Sequence, residues 1–338
     1  MVTLAQVARH AGVSPSTVSY VISGKRSISQ DTRLRVERSI AELGYHPHAG
    51  ARALASNRSN VIALMIPLRT DMFVPVMMEI AIAITTTARR YAHDVLLLTS
   101  EEGPSAVKRI AASGLADAMI LMDVELEDER IPLLRQTGAA AVLVGLPADP
   151  AGLTCIDLDF EATGRLAADH LADLGHREVA LVGAAESVYR RHTGFAERTL
   201  AGFRQQAEAR GLSFLHRPCG VGHEAATGTL SRILAERPGT TALVVQNESA
   251  VPHLLNHLRQ SGRAVPEDIS VVAICPDEVA LHSAPQLTSV SIPAQEMGRR
   301  AVELVMAQAS GRQHTTGLTL LSPVLTPRES TGPAPRSV

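Results

Sequence analysis

The sequence predicts an all-α head joined to an α/β body that contains two doubly wound parallel-sheet lobes. In the first 45 residues, capping residues and glycines occur where short helices would begin and end. After residue 60, short runs of Val, Leu and Ile alternate with longer helical stretches, which is typical of parallel sheets buried on both faces. Aromatic residues make up only 3% of the chain, so we expect the cores to be built from aliphatic side chains.

The chain has 338 residues, of which 45% are apolar, and this is enough for more than one core. Its formal charge of −2 is unevenly distributed. Residues 1–60 carry eight Lys and Arg against three Asp and Glu, a charge of +5, which leaves −7 for the remainder. A basic head on an acidic body predicts a polyanionic partner for the head alone.

Cysteine usage and apolar patterning bear on the cellular compartment. Cys155, Cys219 and Cys275 lie far apart and form no C-x-x-C pair, which favours reduced thiols over a disulfide framework or a zinc site. No export signal or membrane-spanning run is recognisable. We therefore expect a cytoplasmic, nucleoid-associated protein with no membrane partner, no metal and no cofactor.

The head is predicted to contain three short helices. Thr3 and Gln6 fit a capping box at the start of the first helix. Ser14 caps the second helix, with Pro15 in its first turn, and Ser29 caps the third. The first and third helices are expected to end at the glycines of residues 12 and 44.

The first two helices, joined by a glycine-containing turn, indicate a helix-turn-helix. In that motif the second helix lies in the major groove of DNA. Its inward side is expected to carry Val18, Val21 and Ile22, and its outward side Ser16, Thr17, Ser19 and Tyr20. Basic residues near the phosphates would be Lys25, Arg26, Arg33 and Arg35. The helical pattern alone also fits a three-helix bundle with a solvated polar face.

The head closely resembles a known family along its whole length. The matching residues read VTLAQVARHAGVSPSTVSYVISGKRSISQDTRLRVERSIAELGYHP and continue through AGARALASNRSNVIALMIP. This long pattern without gaps resembles the DNA-binding head and hinge of the LacI/GalR repressors. The resemblance implies a homodimeric transcriptional regulator, most often a repressor, whose residues 1–46 bind double-stranded operator DNA. The predicted DNA-binding residues are Thr3, Ser14, Pro15, Ser16, Thr17, Ser19, Tyr20, Ser27, Ser29, Thr32, Tyr45, His48, Ala51 and Leu54.

Residues 47–60 are expected to form a hinge with one short amphipathic turn. This turn, residues 49–55, is much shorter than the roughly 12–15 residues that stay helical alone in water, so its folding should be coupled to DNA binding. In the family, hinge helices enter the minor groove and a Leu wedges into the central base step. Leu54 falls at that position with Ala51 behind it, whereas His48 stands where the family usually has Asn. An ordinary linker role for Leu54 is the alternative.

Residues 61–327 are predicted to form the two lobes. Strand-length apolar runs occur at 61–67, 94–100, 118–122, 140–145 and 154–159, and again at 178–184, 241–247, 270–275 and 288–293. Residues 160–184 also resemble the LacI/GalR family, which implies the type I periplasmic-binding-protein-like fold and an effector-binding, dimerising body. The Pro- and Ser-rich residues 328–338 are expected to be disordered.

Open parallel sheets bind ligands at the carboxyl ends of their strands, so we expect an effector cleft between the lobes. Sugar-binding family members commonly carry an Arg where this chain has Thr199, and Arg198 is one place away. A family Asp is replaced by Cys275, with Asp277 displaced. These departures weaken the expectation of an ordinary sugar effector, and the alternative is a less polar metabolite or no ligand. The predicted effector-binding residues are Arg69, Asp71, Phe73, Asp123, Arg198, Thr199, His223, Asn247, Cys275 and Asp277.

Other classes of function fit the sequence less well. Dinucleotide, P-loop, zinc-protease and serine-hydrolase motifs are missing from the sequence, so an enzyme is not expected. A solute-binding protein would fit the body but would not need a basic head. A nucleoid-type DNA binder would not need two lobes. A regulator that responds to a non-sugar ligand, or to no ligand, is the closest alternative.

Overall fold

We describe a computed structural model of the chain, and the description covers residues 2–23, 26–45, 58–69, 74–99, 103–311 and 317–335. The predicted fold class is confirmed. The head consists of α1 (Leu4–Ala11), α2 (Pro15–Ser23) and α3 (Gln30–Leu43). The structure has no helix, among the residues it describes, long and apolar enough to cross a membrane.

The ends of the head helices follow from local chemistry. Thr3 and Gln6 form the predicted capping box, in which each side chain satisfies the other's backbone amide. The Ser14 hydroxyl accepts a hydrogen bond from the amide of Thr17 at 3.2 Å. Gly12 adopts a left-handed conformation with φ 64°, which a residue with a Cβ adopts at a cost. The turn between α1 and α2 is therefore specified by the sequence.

The first lobe contains a six-stranded sheet in the order β11-β5-β4-β3-β1-β2, and all of its strands are parallel. Its strands are β1 (Val61–Met65), β2 (Asp94–Leu98), β3 (Ala118–Leu121), β4 (Ala140–Val144), β5 (Thr154–Leu158) and β11 (Leu318–Leu321). The helices around it are α4 (Val74–Arg90), α5 (Pro104–Ser113), α6 (Arg130–Thr137) and α13 (Ala294–Ala309). Separate cores lie on the two faces of the sheet, as a doubly wound fold requires.

The second lobe repeats this plan with the strand order β12-β10-β9-β8-β6-β7. Its strands are β6 (Glu178–Gly183), β7 (Ser213–Pro218), β8 (Ala242–Val245), β9 (Ser270–Ile274), β10 (Thr288–Val290) and β12 (Leu325–Thr326), which is antiparallel to β10. Its helices are α7 (Phe160–Asp173), α8 (Glu186–Arg190), α9 (Gly194–Ala209), α10 (His223–Glu236), α11 (Val251–Gln260) and α12 (Asp277–His282). A 3-10 turn, Glu248–Ala250, precedes α11.

Helices α7 and α9 pack unusually closely because glycines form their contact. A Cβ at Gly164 would lie 2.6 Å from the backbone nitrogen of Phe203. A Cβ at Gly202 would lie 2.7 Å from the backbone carbon of Glu161. Both distances are shorter than real Cβ contacts, so only glycine allows the two backbones to come this near.

Three strands, β7, β11 and β12, were not predicted from the sequence. Each lies at an edge of its sheet, and each is only partly buried. Side chains of an edge strand are less completely covered, so its sequence can include polar residues in place of a continuous apolar run.

The prediction of a disordered tail was wrong for residues 328–335. Ser330 has no exposed surface, and its hydroxyl donates to the carbonyl of Val271 at 2.6 Å. The amide of Ala334 donates to the carbonyl of Leu174 at 2.9 Å. Composition suggested disorder, but these polar groups are satisfied by the second lobe, which fixes the segment.

Candidate nucleic-acid interface and interlobe cavity

The outward side of α2 is the candidate nucleic-acid surface. Val18 has no exposed surface, because it packs with Val7, Ala8 and Val36 in the core of the head. This packing turns the opposite side of the helix outward, where Pro15 and the Ser16 hydroxyl are exposed. Thr17, Ser19 and Tyr20 are half-buried at its margins.

Several other predicted DNA-binding residues have structural roles in the head. Ser29 caps α3 by accepting a hydrogen bond from the amide of Thr32 at 3.4 Å. Tyr45 is only 9% exposed and packs in the core of the head, which leaves its ring little surface for a direct DNA contact. Ser27 is exposed. The predicted hinge residues His48, Ala51 and Leu54 lie outside the described residues.

Basic side chains lie beside this surface. The guanidinium of Arg26 lies 5.8 Å from the centroid of the Tyr20 ring, a cation–π arrangement. Arg33 and Arg35 are exposed on α3, and Arg35 is 3.9 Å from Asp31 on the same helix. Exposed guanidinium groups near a helix-turn-helix are suited to phosphate contacts.

A cavity of about 140 Å³ lies between the lobes. It is formed where strands end in both lobes: Asp123 follows β3, Asp157 lies near the end of β5, and Asn247 follows β8. Its walls are mainly apolar and are built by Val76, Met77, Ile80, Met122, Val124, Val144, Phe160, Ala184, Ala185, Val188, Phe195, Ile274, Ile292 and Met297. This is the position at which open parallel sheets bind ligands.

One carboxylate of the cavity, that of Asp123, is neutralised within the protein. It forms a short ion pair with Arg69, and both side chains are largely buried. Burial raises the pKa of Asp123, while the nearby charges of Arg69, Arg191 and Arg130 oppose that rise. Asp123 also has a positive φ of 52°, an uncommon conformation for a non-glycine residue that is often found at functional sites.

Two further carboxyls line the cavity without such a pair. Asp157 is 3% exposed, and burial raises its pKa to about 7 although the amide of Leu158 and the charge of Arg198 oppose the rise. Burial raises the pKa of Glu248 to about 8. Both groups would gain from a ligand that supplies hydrogen-bond donors or positive charge.

The lobes are joined beside the cavity by backbone hydrogen bonds. The amide of Leu126 in the first lobe donates to the carbonyl of His192 at 2.8 Å. The amide of Gly194 donates to the carbonyl of Val124 at 3.0 Å. Val124 also lines the cavity, so this connection between the lobes lies at the cavity wall.

Comparison with known proteins places this architecture in a family. The model of the lacI family of bacterial regulatory proteins matches residues 3–48, and that of the periplasmic binding protein-like domain matches residues 168–331. The transcriptional regulator CelR of Thermobifida fusca is 28% identical over 337 residues, which are 97% of this chain and 98% of CelR. The chain belongs to the LacI family.

Solved structures of LacI-family regulators agree with this assignment. A Lac repressor dimer bound to operator and the anti-inducer ONPF has a TM-score of 0.86 and 26% identity, covering 98% of this chain and 99% of that one. A CelR–cellobiose complex has a TM-score of 0.70 and 27% identity, covering 98% of this chain and 100% of that one. The family resemblance predicted from the sequence is therefore confirmed.

Several residues assigned to the effector cleft by family position do not reach it in this LacI-family regulator. Thr199 has no exposed surface, and its hydroxyl donates to the carbonyl of Phe195 within α9. Arg198 donates instead to the carbonyls of Leu146 at 3.3 Å and Pro147 at 2.9 Å. The side-chain directions on α9 are set by its packing against α7, which the sequence pattern did not show.

Cys275, His223 and Asp277 were also predicted to bind the effector, and they too are not among the residues that line the cavity. Cys275 is completely buried in the core of the second lobe. His223 is exposed on α10, where its ring lies 5.5 Å from that of His253. Asp277 is about half exposed and pairs with Arg328 at 2.9 Å. Asp71 and Phe73 lie outside the described residues.

Most of the residues that line the cavity were not predicted from the sequence, and they include Asp157, Phe160, Arg191, Phe195 and Glu248. Asp157 was visible as a carboxylate within an apolar strand, and such a residue is costly unless it has a partner. Glu248 directly follows the predicted Asn247. The two phenylalanines are among only five in the chain, and their rings lie 5.7 Å apart.

Proposed function

We propose that this LacI-family regulator represses transcription by binding a near-palindromic operator as a dimer. The observation that carries the proposal is the core of the head, which buries Val18 and so presents Pro15 and Ser16 outward. This orientation is the one in which a helix-turn-helix places its second helix in the major groove. The solved Lac repressor similar to this chain is a dimer bound to operator.

The hinge residues belong to the same proposal. Two hinges, residues 47–60 of each copy, would fold together over the centre of the operator, with Leu54 as the wedge. A wedge between base steps bends the duplex and increases the protein surface in contact with DNA. Because a DNA-binding regulator acts at the chromosome, we place the protein in the cytoplasm. Its relatives are named as regulators, and we propose no catalytic activity.

We further propose that the interlobe cavity binds the effector. It receives residues from strand ends of both lobes, so a ligand bound there contacts both lobes at once. A ligand that binds one interlobe arrangement more tightly shifts the population toward it. That shift would alter the spacing of the paired hinges and hence operator affinity.

Exposed apolar side chains support dimerisation. Ile82 on α4 is 62% exposed and Leu97 on the edge strand β2 is 41% exposed. These two elements are neighbours in the first lobe. A partner copy covering them would remove apolar surface from water and protect the unpaired edge of the sheet.

Selection from a random duplex library with the full-length protein tests the proposal. We expect an enriched near-palindrome whose half-sites are related by two-fold symmetry. Ser16→Ala should lower affinity for the selected site about tenfold, since the dimer loses two hydroxyl contacts of about 0.5–1.5 kcal/mol each. Its affinity for random duplex should stay unchanged, because phosphate contacts supply that binding.

Ser231→Ala is the matched control, since Ser231 is exposed on α10 in the second lobe. It should leave both affinities unchanged. Failure to enrich any sequence at moderate salt would refute sequence-specific binding. Equal affinity of the Ser16→Ala protein for the selected site would refute the assignment of this hydroxyl to base recognition.

A further inference from the structure

The charges around the interlobe cavity are mostly paired within the protein. Arg69 forms its ion pair with Asp123. Arg191 lies 3.9 Å from Glu125 across the two lobes. A basic side chain that reaches a carboxylate in this way is compensated, and it has less to offer to an anionic ligand.

Glu248 differs from these groups. It lines the cavity, and among the residues that the structure describes it forms no ion pair within 4.0 Å. Desolvation raises its pKa to about 8 without any positive neighbour to oppose the rise. A carboxylate in such surroundings is stabilised by a cation that enters the cavity with a ligand.

The amide side chains of the cavity are already engaged. The Gln246 oxygen accepts a hydrogen bond from the hydroxyl of Tyr189 at 3.0 Å. The Asn247 nitrogen donates to the carbonyl of Cys219 at 2.6 Å, and its oxygen accepts from the hydroxyl of Ser249 at 2.6 Å. Few polar groups are therefore left for a polyhydroxyl ligand, each of whose buried hydroxyls needs a partner.

The rest of the wall favours a hydrocarbon body. Phe160 and Phe195 form an aromatic pair at the cavity, and Met77, Met122 and Met297 add flexible apolar surface. Side chains of these types adapt to apolar ligands and gain from covering them. Of the two lining carboxyls that form no ion pair among the described residues, Asp157 has the charge of Arg198 nearby, whereas Glu248 has no positive neighbour. The mainly apolar wall therefore fits a ligand with one cationic end.

We infer that the effector is an amphipathic organic cation whose protonated amine pairs with the carboxylate of Glu248 and whose apolar body lies against Phe160 and Phe195. The inference rests on the proposed function of the cavity as the effector site. A primary alkyl amine keeps its charge at neutral pH because its pKa is about 10. Its hydrogen bond to a carboxylate is charge-assisted at both ends and is roughly twice as strong as a neutral one.

Calorimetric titration of the full-length protein tests the inference with three probes that share one aromatic body and with one sugar. The probes are 2-phenylethylamine, its neutral counterpart 2-phenylethanol, the anion phenylacetate, and the sugar cellobiose. We expect the amine to bind at least about tenfold more tightly than the alcohol, and the anion and sugar to bind more weakly still. Glu248→Gln should lower amine affinity to that of the alcohol and leave alcohol affinity unchanged.

Glu224→Gln is the matched control, because Glu224 is an exposed glutamate on α10, and it should leave amine affinity unchanged. Tighter binding of phenylacetate or cellobiose than of the amine would overturn the inference. Absence of amine binding, or equal amine affinity in wild type and Glu248→Gln, would overturn it as well. Operator selection needs no probe, so its success would leave the proposed function intact when this inference fails.

Discussion

Replacing Glu248 with Gln removes a titrating carboxyl from the cavity and keeps nearly the same side-chain shape. The carboxyl has an ordinary pKa of 4.5 in the unfolded chain and about 8 in the folded protein. The folded state therefore binds more protons between these values, so the wild type must lose stability as pH rises through this window. The Gln variant has no carboxyl at this position, so its free energy of unfolding lacks this pH-dependent contribution.

The two pKa values are separated by about 3.5 pH units, and each unit corresponds to about 1.36 kcal/mol. Between about pH 5 and pH 9, full desolvation would cost the wild type about 4 kcal/mol relative to the variant. Glu248 is partly exposed, and screening by water lowers the expected difference to about 2–4 kcal/mol.

Urea unfolding of both proteins at several pH values measures this difference. The gap between the two free energies of unfolding should widen with pH in favour of Glu248→Gln. The Gln amide has its own burial cost, but that cost does not depend on pH, so the slope is the diagnostic quantity. A gap that stays constant within about 0.5 kcal/mol over this range would refute the reasoning.

Two further predictions concern packing and capping. Gly202→Ala should destabilise the body by about 1–3 kcal/mol in chemical unfolding, because its Cβ meets the backbone of Glu161. Gly228→Ala is the control, since this helical glycine has open space around it and the change should stabilise by about 0.5–1 kcal/mol. Equal effects of the two changes would contradict the close α7–α9 contact. Thr3→Ala should destabilise α1 by about 1 kcal/mol through loss of its bond to Gln6, measured by amide hydrogen exchange, and unchanged exchange would argue against the cap.

The head was predictable from sequence because its signals are local. The hydroxyls of Thr3 and Ser29 accept hydrogen bonds from amides three residues away, so the caps depend on little beyond their own turn. Gly12 and Gly44 both adopt the left-handed conformation that ends a helix. Such features are visible in the sequence before any tertiary contact is known.

The position of the cavity could be predicted from the sequence, but the residues that line it could be predicted only in part. Its position follows from strand order and the carboxyl ends of the strands, so Asp123 and Asn247 lie where expected. Thr199 and Cys275 were assigned by family position, yet both are completely buried away from it. Their directions depend on the packing between whole elements, and a linear pattern does not contain that information.

The first-lobe sheet includes a strand from the far end of the chain. β11 pairs with β5, from Leu318 opposite Cys155 to Leu321 opposite Leu158. During synthesis on the ribosome, the edge of β5 has no partner in its own sheet until more than 150 further residues have been added. The sheet of the first lobe is therefore completed only after the second lobe has been translated. Until then, the unpaired edge of β5 can pair with strands of other nascent chains. Premature termination between the two strands would yield an aggregation-prone fragment rather than a separately folded sensor lobe.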